Sequence, residues 1–98
     1  MRRLDALLEK RDAIRKIGLA NGADRLWVFG SCARREETPE SDVDILAEFR
    51  KGATLFSASS LKRSLSELLH CDVDVVSVRC INDGSEFSRS VRRDMVAI

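Results

Sequence analysis

The run Ser41-Asp42-Val43-Asp44-Ile45-Leu46 constrains this chain more than any other stretch, because it sets two carboxylates one residue apart at the start of an apolar strand. Alternate side chains along a strand face the same way, so Asp42 and Asp44 project together while Val43 and Ile45 point to the opposite, apolar side. The strand is expected over Asp42 to Phe49, closed by Arg50-Lys51-Gly52. Taken alone, the pair also fits surface aspartates that frame a strand.

Two further segments narrow the reading. Leu26 to Phe29 is a compact apolar run, read as a strand with Trp27 in the core, that delivers the chain to Gly30-Ser31. A residue without a side chain permits close backbone approach, free amides at a helix start meet phosphate oxygens, and Ser31 adds a hydroxyl donor. Asp74 sits inside Val73-Asp74-Val75-Val76, where flanking valines enter the core and the carboxylate faces out beside the first two acids. Asp72 lies on the same face two residues earlier and competes for the third acidic position; Asp74 is favoured because apolar residues flank it on both sides. Two magnesium ions about 3.5 to 4 Å apart can share such carboxylates and bridge a triphosphate, while the third acid takes a proton from an attacking hydroxyl. The ordered set is therefore a candidate site for metal-dependent nucleotidyl transfer.

The remaining elements follow from periodicity. Leu4, Leu7, Leu8, Ile14 and Ile17 predict one amphipathic helix from Arg3 to Ala20, ended by Asn21-Gly22. A short helical stretch is expected around Ala33 to Glu37, then a turn over Thr38-Pro39-Glu40-Ser41. Leu61, Leu65, Leu68 and Leu69 mark a helix opening within Ser57 to Ser60, and Asp72 to Val78 is the next strand. Asn82-Asp83-Gly84 is a turn, and Phe87, Val91 and Met95 mark a closing helix.

Composition limits the partners. At 98 residues the chain is expected to form one domain over 1–98, with an acceptor held largely by something else. Seventeen basic and 16 acidic residues leave a net charge of +1, no reservoir for wrapping a polyanion, so direct nucleic-acid binding is not expected. Cys32, Cys71 and Cys80 are odd in number and lack paired metal spacing, which reads as reduced thiols of a cytoplasmic protein without zinc. No segment approaches transmembrane length, and the charged N-terminal run is unlike a signal peptide. His70 is read as a helix-end residue and Cys32 as a small buried thiol rather than a nucleophile.

Gly30-Ser31-Cys32-Ala33-Arg34, Ser41 to Leu46 and Val73 to Val76 together resemble the minimal nucleotidyltransferases (MNT) of the DNA polymerase beta-like nucleotidyltransferase superfamily, over nearly the whole chain. The resemblance implies an α+β fold with a small mixed β-sheet flanked by helices. It implies that Asp42, Asp44 and Asp74 bind magnesium and catalyse, and that Gly30 and Ser31 hold the phosphates of ATP. It also implies an antitoxin in a hetero-oligomer with a HEPN-type toxin, transferring AMP to a toxin tyrosine. The alternative is a binding antitoxin or complex subunit that blocks its partner without turnover. Many relatives carry a second glycine where this chain has Arg35; Arg34 and Arg35 are left outside the core site as a solvated helix start.

Overall fold

A strand that is apolar on both faces must be covered on both, and this requirement organises the molecule. The computed structural model describes residues 3–34 and 42–98. Strand β2 (Val43–Phe49) buries Val43, Ile45 and Ala47 on one face and Leu46 on the other. It lies between β1 (Ala23–Phe29), to which it is antiparallel, and β3 (Val73–Ser77), to which it is parallel. A two-residue strand, β4 (Val96–Ala97), adds antiparallel to the far edge of β1. The result is a mixed sheet in the order β3-β2-β1-β4.

Helices cover the two faces unequally. On one side α1 (Arg3–Glu9), α2 (Arg11–Ala20) and α4 (Leu55–Leu69) bring Leu4, Leu7, Ile14, Leu61 and Leu65 against Val28, Val43, Ile45 and Val73. Full burial of each such side chain contributes about 1.5–3 kcal/mol. On the other side a 3-10 turn (Val78–Ile81) and α5 (Glu86–Asp94) pack Ile81 and Val91 onto Phe29 and Leu46. Trp27 and Val76 join this second cluster, in keeping with a core role for Trp27. The acids of β2 and β3 share this second face, and α3 (Gly30–Ala33) leads away from the end of β1 beside them.

Several boundaries differ from expectation. The first helix is two helices, broken at Lys10, whose N–H still reaches the carbonyls of Ala6 and Leu7. In one straight helix Arg11 would continue the inward stripe of Leu4, Leu7, Ile14 and Gly18. The break leaves Arg11 exposed, with its Nε donating to the Leu8 carbonyl at 3.2 Å. Strand β1 starts at Ala23 rather than Leu26, because Asp24 and Arg25 turn to solvent and pair with Arg50 and Glu48 at the end of the β1–β2 pair. Helix α4 opens at Leu55, before the expected window: Thr54 is the N-cap, and its N–H donates to Ser57 Oγ at 3.1 Å. Leu55 and Phe56, although in the helix, are 89% and 83% exposed, so apolar spacing did not mark its start.

Helix α3 occupies Gly30–Ala33, opening earlier than the stretch expected around Ala33 to Glu37; Arg35 to Glu37 and the turn at 38–41 lie outside the described residues. Strand β4 had no visible signal, being two residues long. Gly22, at φ +86°, ends α2 as expected, and His70 ends α4 in the left-handed conformation. Cys32 is fully buried.

Candidate nucleotide site

The site is built where β1 ends and β2 and β3 begin. In the parallel pair Asp44 stands opposite Asp74, and in the antiparallel pair it stands opposite Phe29. Neighbouring strand positions put paired side chains on one face, so register alone brings the acids of β2 and β3 together. Asp42 is exposed one residue before β2, and its charge also falls on Asp44. Asp72, the competitor, lies one residue outside β3, where its backbone carbonyl accepts from the Val43 N–H at 3.0 Å. Asp74 therefore stands in register with Asp44, and its charge raises the Asp44 pKa.

Gly30 is the tightest point. Its φ of +72° is in the left-handed region, and a Cβ there would meet Asp44 Oδ2 at 2.5 Å. Both conditions require glycine, and together they let the backbone of the turn lie directly against the carboxylate. Ser31, half-buried in the first turn of α3, follows immediately.

Electrostatics mark Asp44 as the centre. Burial raises its pKa above the ordinary carboxylate value, Asp74 and Asp42 add to the rise, and Arg34 opposes it. A half-buried carboxylate crowded by two others holds negative charge at a cost that a cation would relieve. Among the described residues no three His, Cys, Asp or Glu side chains already form a metal cage. The donor set nevertheless suits magnesium, which takes one or two carboxylates and completes its shell with water and phosphate oxygens. Asp42, Asp44 and Asp74 are the residues that would hold it.

Three residues outside the expected site border this centre: Arg34, read from sequence as a solvated helix start, and Asp94 and Lys62, which the sequence does not single out. Arg34 acts on Asp44, and its Nη1 lies 2.5 Å from Asp94 Oδ2, tying the end of α3 to α5. Lys62 Nζ on α4 lies 3.6 Å from Asp74 Oδ1. The signals were weak, since each is one charged residue on a helix or at a helix end. A groove of about 460 Å³ lined by Arg15, Leu19, Leu26, Trp27 and Ile98 runs along β1 and includes none of Asp42, Asp44 and Asp74. No helix among the described residues is long and apolar enough to cross a membrane.

Comparisons with known proteins place the chain in a family. A family model described as polymerase beta, nucleotidyltransferase, matches residues 6–97. Protein adenylyltransferase MntA of Thermococcus cleftensis is 33% identical over 91 residues, covering 93% of this chain and 81% of that protein. A solved structure described as a minimal nucleotidyltransferase superposes with a TM-score of 0.82 at 36% identity, covering 97% of this chain and 95% of the other. A chain in the complex of tri-AMPylated Shewanella oneidensis HEPN toxin with MNT antitoxin superposes with a TM-score of 0.65 at 20% identity, over 99% of this chain and 71% of its own, and shares the fold. This chain belongs to the polymerase beta-type nucleotidyltransferases, within their minimal nucleotidyltransferase family.

Proposed function

We propose that this nucleotidyltransferase is a protein adenylyltransferase that moves AMP from ATP onto a tyrosine hydroxyl of a HEPN-type toxin and so acts as its antitoxin. The observation that carries the reading is the close approach of Gly30 to Asp44, which itself stands in register with Asp74, so that a backbone turn lies against one of two paired carboxylates. The Thermococcus relative is named a protein adenylyltransferase, and the Shewanella complex joins a chain of this fold to an AMPylated HEPN toxin.

In this reading Gly30 and Ser31 bind the phosphates through backbone amide and hydroxyl, and Arg34 adds positive charge beside them. Asp42, Asp44 and Asp74 hold magnesium, which supplies charge neutralisation at the phosphoryl oxygens. Asp74 accepts the proton of the attacking hydroxyl. The hydroxyl oxygen bonds to the α-phosphorus, the bond from that phosphorus to the bridging oxygen of the β-phosphate breaks, and pyrophosphate departs with the electron pair. The setting is the cytoplasm, in a hetero-oligomer with the toxin.

Incubation of the protein with α-labelled ATP, magnesium and its co-encoded partner tests the assignment, with Asp42→Ala and Asp44→Ala as controls. Label should pass to the partner with wild type and with neither variant. Partner inhibition kept by both variants without labelling would establish a binding antitoxin instead.

A further inference from the structure

Strand β3 is an edge strand, so the acids of β2 and β3 have no further strand on the β3 side. A side chain from the opposite face reaches it. Helix α4 packs Leu61 and Leu65 under the sheet, and the next residue along, Lys62, reaches round the open edge to place Nζ 3.6 Å from Asp74 Oδ1. Both members are about half exposed, at 55% and 53%, so neither is locked in place by packing.

We propose that Lys62 is a mobile phosphate ligand of the transfer site, resting on Asp74 in the free protein and moving onto the nonbridging oxygens of a nucleoside triphosphate when a divalent cation takes the carboxylate. The inference rests on the nucleotidyltransferase reading of the three acids and adds a residue to it. Its physical basis is competition: an ammonium ion and a divalent cation seek the same oxygens, and the divalent cation has twice the charge. The displaced ammonium then faces a triphosphate bound across the same carboxylates. A flexible four-carbon stem with three donors can follow that charge at little cost, because an exposed ion pair contributes only about 0–1 kcal/mol.

Competition and recruitment move two constants in opposite directions, a signature that a scaffolding role would not produce. Mn²⁺ binding to nucleotide-free protein, followed by electron paramagnetic resonance, and binding of a non-hydrolysable ATP analogue with magnesium, followed by calorimetry, are compared for wild type, Lys62→Met and Lys62→Arg. In Lys62→Met, Mn²⁺ should bind about threefold tighter and the analogue about fivefold weaker, roughly the worth of one charge-assisted contact. Lys62→Arg should stay within about twofold of wild type in both, since it keeps the charge. Constants that are unchanged in Lys62→Met, or that shift in the same direction, overturn the role of Lys62 while leaving the site intact. Wild type that binds neither Mn²⁺ nor the analogue overturns the underlying site.

Discussion

The guanidinium of Arg34, at the end of α3, stands 2.5 Å from the carboxylate of Asp94, at the last residue of α5. The Asp94 side chain is only 6% exposed and is also approached by Arg93 at 3.4 Å. The pair joins the turn beside Asp44 to the helix that covers the second face of the sheet. Asp94→Asn should cost about 1–2 kcal/mol, discounted for the partly exposed arginine, as read by urea unfolding. Arg34→Ala should in addition raise the KM for ATP, because it removes positive charge from the same centre. A double-mutant cycle in which the two losses simply add would show that the pair is not coupled.

Gly30→Ala tests the close approach. A β-carbon 2.5 Å from Asp44 Oδ2, on a backbone at φ +72°, must displace the carboxylate or the turn. The left-handed conformation alone costs a non-glycine residue about 1–2 kcal/mol. The variant should fold with a lower thermal midpoint and lose nearly all transfer activity. Activity near wild type would show that the turn does not lie against the reacting centre.

Asp44 is expected to trade stability for function. Its pKa in the folded protein is raised, chiefly by burial and then by Asp74 and Asp42, so the ionised form opposes folding at neutral pH. That cost falls away as pH drops through the raised value toward the ordinary 3.8. Asp44→Asn should therefore raise the metal-free melting temperature at pH 7, and the advantage should shrink on acidification. Transfer activity should drop at least about a hundredfold. Magnesium should raise the melting temperature of wild type and leave the variant nearly unchanged. A variant less stable than wild type at pH 7 would contradict the electrostatic account.

Asp83 shows the opposite sign at the start of α5. Its carboxylate accepts from the hydroxyls of the buried Ser88 and of the N-cap Ser85 at 2.5 and 2.7 Å. These bonds, that from Ser88 foremost, lower its pKa to about 2. A depressed carboxylate contributes in full above its unfolded value and loses that contribution as pH falls through the folded one. Melting temperature should therefore fall between pH 4 and 2, and Asp83→Asn should flatten that slope. Equal slopes in the two proteins would remove Asp83 from the capping network.

Leu55 and Phe56 lie almost wholly in solvent at the start of α4. Phe56→Ser should leave unfolding free energy within about 0.5 kcal/mol of wild type, as for an ordinary surface position. A loss of several times that size in chemical denaturation would mean that the ring is packed.

Local chemistry made much of this protein legible from its residues. Period-two alternation in Val43 to Leu46 marked β2 and set Asp44 on the face away from Val43 and Ile45, with Asp42 one residue before the strand, and Gly30 after an apolar strand marked the turn. Leucine spacing marked the body of α4, though not its opening at Thr54, because Leu55 and Phe56 are apolar without being buried. Other features depend on partners distant in the chain. The break at Lys10 depends on which side of the helix the sheet covers, and β4 exists because the edge of β1 is there to receive it. The opposition of Asp44 and Asp74 follows from parallel register, and Arg34–Asp94 and Lys62–Asp74 form when helices from separate parts of the chain pack around one sheet. Periodicity reports which face of an element is apolar; only packing determines what that face, and the charges at its rim, will meet.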